Sequence, residues 1–207
     1  MSARVGLRQD DRPALDALGR SIAMLSAAHG FRDPFTVRHQ QRTAALCVAI
    51  GTRLGITPTR LEVLRLAASV HDAGKLALPT EILSRPDALS DPEYALIKTH
   101  CQIGFEILGI LQAPFPVAEI AFQHHERLDG SGYPRGLRGA QILPEARVLG
   151  VADVYDAMTS KRPYRDGLPR DFVLGDMQRK AGRSLDADAV EACRLCTQDT
   201  DAVGGHS

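Results

Sequence analysis

The chain lacks a net charge, with 25 Lys+Arg balancing 25 Asp+Glu. A broad, sequence-independent hold on nucleic acid or on a membrane surface needs a positive field, so the balance argues against DNA, RNA and membrane as partners. A small anionic ligand gripped by a local cluster remains compatible with it. No apolar run approaches the ~18 residues of a membrane span, and no basic stretch followed by an apolar one opens the chain. The expected location is therefore cytoplasmic. Cysteine is scarce, with 4 in 207 residues. Cys47 and Cys101 fall inside apolar helical patterns and read as reduced core residues. Cys193 and Cys196 have zinc-finger spacing but no second pair, and read as two residues on one helix face. Period-two alternation, internal repeats and low-complexity blocks are missing as well, which leaves an all-α fold as the expectation.

What is present is helical pattern. A mass of 22.4 kDa suits one domain with a short appendage. Such a chain buries about 70 % of the surface its unfolded form exposes, and needs no disulfide or structural metal to fold. Residues 1–30 read as a polar tail followed by an amphipathic linker helix with Leu15, Leu18, Ile22 and Leu25 on one face. That helix is placed to join an upstream sensor, to pair with its copy in a homodimer, or to cover the core. Asp33-Pro34 starts a helix carrying His39, and Thr59 with Glu62 forms a capping box for the next, which leads to His71. Ser90-Asp91-Pro92-Glu93 opens a helix with Ile97, His100, Gly104, Ile107 and Leu111 on one face. Val117, Ile120, Ala121 and His124 define another inward face, with His125 adjoining it. The stretch from Arg127 to Pro144 is unpatterned and glycine-bearing, and long loops in compact domains tend to be functional. On the helix that follows, Leu149, Asp153 and Asp156 share a face. Residues 172–196 read as further helix broken near Gly182, and 198–207 as a disordered tail.

The chemistry gathers around Val70-His71-Asp72-Ala73-Gly74-Lys75. An imidazole and a carboxylate side by side suit Fe-, Mn- or Zn-type ions, and the carboxylate's two oxygens allow it to bridge a pair. Two ions about 3.5–4 Å apart are a recurring device for phosphodiester hydrolysis. Lys75, three residues on, is within reach of a bound phosphate. His39, His71, His100, His124 and His125 lie on or beside apolar faces, whereas His29 and His206 lie outside such stripes. Taken singly, a buried histidine is usually a hydrogen-bonded core residue. Together with Asp72 and Asp153 they form an inward-facing set whose lost hydration would cost several kcal/mol if unpaired, and a di-metal site in a helical bundle compensates that cost.

One further run, His124-His125-Glu126-Arg127-Leu128-Asp129-Gly130-Ser131-Gly132-Tyr133-Pro134, completes a pattern. With Asp33-Pro34-Phe35-Thr36, His39, His71-Asp72, His100, Asp153-Val154-Tyr155-Asp156 and Arg162-Pro163-Tyr164-Arg165, the chain resembles the HD-GYP domain family of HD metal-dependent phosphohydrolases over residues 31–197. The resemblance implies an HD-domain helical bundle with a long GYP loop. It implies hydrolysis of cyclic di-GMP to the linear dinucleotide pGpG and, in some members, to GMP, by a metal-bridging hydroxide. One ion would take His39, His71, Asp72 and Asp153, and the second would share Asp72 and add His100, His124 and His125. Iron or manganese is expected, with zinc and nickel left open by the residues. Catalysis falls to Asp72 and Lys75. Substrate contacts fall to Tyr133, to Asp156 at a guanine edge, and to Arg162 and Arg165 at the second phosphate. GGDEF-domain proteins are expected partners through the GYP loop.

Two departures stand out. Phe35 occupies the position where some members place a third-metal glutamate, so two ions are expected. Arg38 replaces a frequent glycine before the first histidine, and a bulky cation there would narrow or recharge the site mouth. No receiver or other sensor precedes the domain, so the chain is expected either to have lost its regulation or to be an excised fragment. Two other readings fit the residues: a feebly active cyclic di-GMP receptor, and an HD phosphohydrolase acting on another nucleotide or on hybrid cyclic dinucleotides.

Overall fold

A computed structural model describes residues 11–83, 85, 87, 89–161 and 166–204, with side chains through 198. Helices α1 (Arg12–Arg32) and α2 (Pro34–Arg53) are separated by Asp33 alone. Its carboxylate accepts the Phe35 and Thr36 N–H groups at 3.0 Å each and the Thr36 hydroxyl at 2.6 Å. With Pro34 at the first helical position, the local sequence ends one helix and starts the next in a single step. Helix α3 (Pro58–Ala68) begins two residues earlier than its expected Thr59 cap, with Thr57 at the N-cap position and Pro58 opening the helix. Glu62 does not cap it, because its carboxylate is taken by Arg65 at 2.6 Å and 2.8 Å.

After α3 the chain turns through Ser69–Asp72 into a 3-10 turn, Ala73–Ala77, which lies against α6 (His100–Gly109). Only glycine fits at position 74. A Cβ there would stand 2.0 Å from the His100 carbonyl oxygen and 2.6 Å from the Gly104 nitrogen. A short α4 (Thr80–Leu83) and α5 (Asp91–Lys98) precede α6. Glu93 reaches back to the Ser90 N–H at 2.9 Å, as the start signal requires. The single helix expected from Ser90 to Leu111 is broken at Thr99, whose hydroxyl donates to the Leu96 carbonyl. His100 therefore opens α6 instead of sitting mid-helix.

Helix α7 (Val117–Phe122) ends before both paired histidines, which fall in the turn that follows it. Helix α8 (Pro144–Thr159) is the innermost element. Val148 through Asp153 are buried without interruption, as expected of a helix packed on all sides, here by α2, α3, α7, α9 (Arg170–Lys180) and α10 (Ala187–Gly204). Ile50, Leu64, Leu66, Ile120, Leu149 and Met177 form the centre of the core. The amino-terminal helix shares that core through Leu15, Leu18 and Ile22. Helix α10 continues to Gly204, past the residue where the sequence suggests a tail. Among the described residues there is no strand, only the isolated bridges Asp129 to Arg138 and Ala181 to Leu185. The fold is all-α, and no described helix is long and apolar enough to cross a membrane.

Candidate metal centre

Three histidines are oriented by the same local device. His71 Nδ1 donates to the Ala68 carbonyl at 2.8 Å, His100 Nδ1 to Ile97 at 2.7 Å, and His124 Nδ1 to Ala121 at 2.6 Å. Each acceptor is the carbonyl three residues back, at a helix end where carbonyls are left without helical partners. A carbonyl only accepts, so Nδ1 carries a proton and each ring turns its Nε2 inward. The rings run as a chain: His39 to His71 at 5.2 Å between centroids, His71 to His124 at 4.9 Å, and His100 to His125 at 5.2 Å.

Two carboxylates stand between these rings. Asp72 places Oδ2 3.5 Å from His71 Nε2 and Oδ1 3.4 Å from His100 Nε2, while Lys75 Nζ donates to its Oδ2 at 2.6 Å. From α8, Asp153 sets Oδ1 3.0 Å from His39 Nε2 and 3.7 Å from His71 Nε2, with Oδ2 3.9 Å from His125 Nδ1. Burial opposes the charge on Asp72, but Lys75 and the imidazoles outweigh it and hold the carboxyl well below its usual range. Burial pushes His125 down to about 3, and also pushes His100 and His124 below the ordinary imidazole value. The result is ionised carboxylates beside neutral His100, His124 and His125.

This donor set fits divalent cations. Buried His71 Nε2, Asp72 Oδ1 and His124 Nε2 have no hydrogen-bond partner among the described residues. An unpaired buried polar atom costs roughly 1–3 kcal/mol. Three of them facing one interior space are explained by ions that accept their lone pairs. Two overlapping clusters, His39-His71-Asp153 and His71-Asp72-His124, each bring three donor atoms within 4.8 Å of one another.

Residues 24–189 match the family model described as the HD domain. The chain belongs to the HD domain family. Its HD dipeptide is His71-Asp72, at the centre of the cluster. The HD domain is 37% identical over 174 residues to the cyclic di-GMP phosphodiesterase response regulator RpfG of Xanthomonas campestris, covering 83% of this chain and 46% of that protein. It is 41% identical over 161 residues to the 3'3'-cGAMP-specific phosphodiesterase 1 of Vibrio cholerae, covering 77% of this chain and 37% of that one. The solved HDG"Y"P protein of Bdellovibrio bacteriovorus superposes with a TM-score of 0.69 at 24% identity, over 89% of this chain and 62% of that one, which shows the shared fold. This chain spans about half or less of the length of the curated relatives it matches.

Beyond the cluster, Tyr133 of the HD domain lies with its ring 4.7 Å from that of His125 and its N–H on the His125 carbonyl at 3.2 Å. The GYP loop is clipped by Glu126, a buried residue that sequence reasoning gave no role. Its carboxylate accepts the Arg135 and Leu137 N–H groups at 2.7 Å and 2.9 Å. At position 132 a Cβ would come within 2.4 Å of the His125 carbonyl and the Arg127 nitrogen, so the loop's return over the site requires glycine there. Burial raises the Tyr133 hydroxyl above its ordinary value, which keeps it a donor.

Asp156, expected at a guanine edge, has protein partners on α2. It is buried behind His39, taking His39 Nδ1 at 2.6 Å and Arg42 at 2.7 Å and 2.9 Å. Arg162 and Arg165 lie outside the described residues. Arg38 is exposed. Besides Glu126, the buried polar residues His29 and Gln40 were missed. His29 continues the α1 stripe from Ile22 and Leu25 by helical spacing and is buried facing Asp72 and Lys75, so its place outside the stripes is corrected. Gln40, one position after His39, brings its amide oxygen to the Asp72 N–H and its amide nitrogen to the Ser69 carbonyl, each at 3.1 Å.

Proposed function

We propose that this HD domain is a metal-dependent phosphodiesterase that opens cyclic di-GMP to pGpG, with GMP as the further product. The observation that carries the reading is the set of orphaned lone pairs on His71, Asp72 and His124, enclosed with further imidazoles and Asp153 in one buried cluster. His39, His71, Asp72 and Asp153 would hold one ion, and Asp72, His100, His124 and His125 the other, iron or manganese being the metals this reading favours. When bound, the two cations supply an activated water and neutralise phosphoryl charge. The chain's own groups do the rest. Asp72, with its ammonium partner Lys75, sets the spacing of the donors, and Lys75 is placed to stabilise charge on a phosphoryl oxygen. Tyr133, a protonated hydroxyl stacked beside His125, offers a donor to the substrate at the loop side. Arg162 and Arg165 remain candidates for the second phosphate by their match to the family pattern, and the GYP loop for contact with GGDEF-domain partners.

A second reading takes 3'3'-cGAMP as substrate, favoured by the relative of that name from Vibrio cholerae, 41% identical to this chain. Both cyclic dinucleotides should be offered to anaerobically reconstituted protein with Fe2+ or Mn2+, and products separated by chromatography. The account expects pGpG from cyclic di-GMP, at higher kcat/KM than cleavage of 3'3'-cGAMP. The reverse preference selects the second reading, and intact cyclic di-GMP beside metal-loaded protein refutes the first.

A further inference from the structure

Cys101 follows His100 directly and is buried. It sits in the first turn of α6, where the tight approach to Gly74 fixes the backbone against the HD turn. Its Sγ lies 3.5 Å from His100 Nε2, and the donor atoms of His100, Cys101, His124 and His125 all lie within 4.8 Å of one another. An S–H···N bond to His100 would explain that one contact. It leaves His124 Nε2, fully buried and without a hydrogen-bond partner, aimed into the same space. A cation among these four donors accounts for both observations.

We infer that Cys101 Sγ is a ligand of the second ion, together with His100, His124 and His125. The inference rests on the two-metal reading above and deepens it. On binding, the thiol proton leaves to water and the sulfur forms the metal bond. A sulfur donor makes this site softer than its neighbour, whose donors are imidazole and carboxylate only. It therefore selects zinc, cobalt or iron over manganese at this position, while the site of His39, His71, Asp72 and Asp153 remains open to the harder ion.

The test is cobalt substitution under anaerobic conditions, with bound metal counted in the same samples. Sulfur-to-cobalt charge-transfer absorption in the near ultraviolet is expected from the unsubstituted protein, retained in Cys196→Ser and lost in Cys101→Ser. In an equimolar Zn2+ and Mn2+ competition, Cys101→Ser should retain several-fold less zinc relative to manganese. X-ray absorption at the zinc edge needs no substitution, and should show one sulfur neighbour at about 2.3 Å. Two bound cobalt ions without the sulfur band, or a band that persists in Cys101→Ser, overturns the assignment and leaves the two-metal reading standing. Failure to bind any divalent ion overturns both. A sulfur band in a protein that leaves cyclic dinucleotides intact keeps the Cys101 ligand and removes the phosphodiesterase.

Discussion

His39 and Asp156 stand 117 positions apart in the chain, yet a 2.6 Å hydrogen bond joins the imidazole Nδ1 to the carboxylate. Arg42, one turn after His39 on α2, closes on the same carboxylate at 2.7 Å. Asp156 thus holds a ring whose other nitrogen faces Asp153, and carboxylates in this position orient and strengthen metal-binding imidazoles.

Replacing that carboxylate by its neutral isostere tests the arrangement. Asp156→Asn keeps the shape and removes the charge, and should weaken divalent-metal affinity by roughly 10–100-fold while the helical fold persists. Chelator competition followed by circular dichroism reads both. Unaltered affinity would remove Asp156 from the centre's support.

Among the described residues, Lys75 is the one cation hydrogen-bonded to the HD aspartate, at 2.6 Å. Lys75→Ala should leave metal bound and lower kcat by about 10²–10³, the usual effect of losing one charge-stabilising donor. Undiminished turnover would refute the role assigned to its ammonium.

Gly74→Ala places a methyl group against the α6 backbone, where neither side can yield as a flexible side chain would. Overpacking of this kind costs about 1–3 kcal/mol or more. A lower denaturation midpoint, together with weakened metal binding through displaced His100, is expected. A midpoint equal to that of the unsubstituted protein would mean that the close approach is absent in solution.

The metal-free protein should be most stable near neutrality. Burial opposes the charge on His39, but its bonds to Asp153 and Asp156 raise it to about 9. Its contribution is complete below the unfolded value near 6.5 and is lost as pH rises through 9. His125, lowered to about 3 by burial, takes up its proton more readily when unfolded, so stability falls as pH drops from about 6.5 towards 3. Urea midpoints across pH 4–10 on chelated protein should trace this dome, and a flat profile would contradict it.

Much of the arrangement was legible because chemistry-bearing residues interrupt apolar stripes. His39, His100 and Asp153 each sit where a helix face points inward, and helical spacing alone says so. His71 and His124 were less direct, since both lie just beyond helix ends, where a carbonyl three residues back holds the ring. The partners of Asp156 were not legible for a physical reason: it is one turn from Asp153 and shares its face, but they lie on α2, and periodicity carries no information about which element packs opposite. Cys101 read as core because a thiol in an apolar stripe looks the same whether or not imidazoles surround it. The break at Thr99 escaped notice for a similar reason, because the stripe from Ile97 to Leu111 keeps its period across the bend.

The most direct test is a count of metal in anaerobically purified protein, unsubstituted and Asp72→Ala side by side, with cyclic di-GMP hydrolysis assayed on the same samples. The account predicts two divalent ions per chain in the unsubstituted protein, of the kind that two-metal hydrolases hold. In Asp72→Ala, ions and hydrolysis should disappear together. Hydrolysis at an equal rate by metal-free protein, or an Asp72→Ala variant that keeps both ions and full turnover, would contradict it.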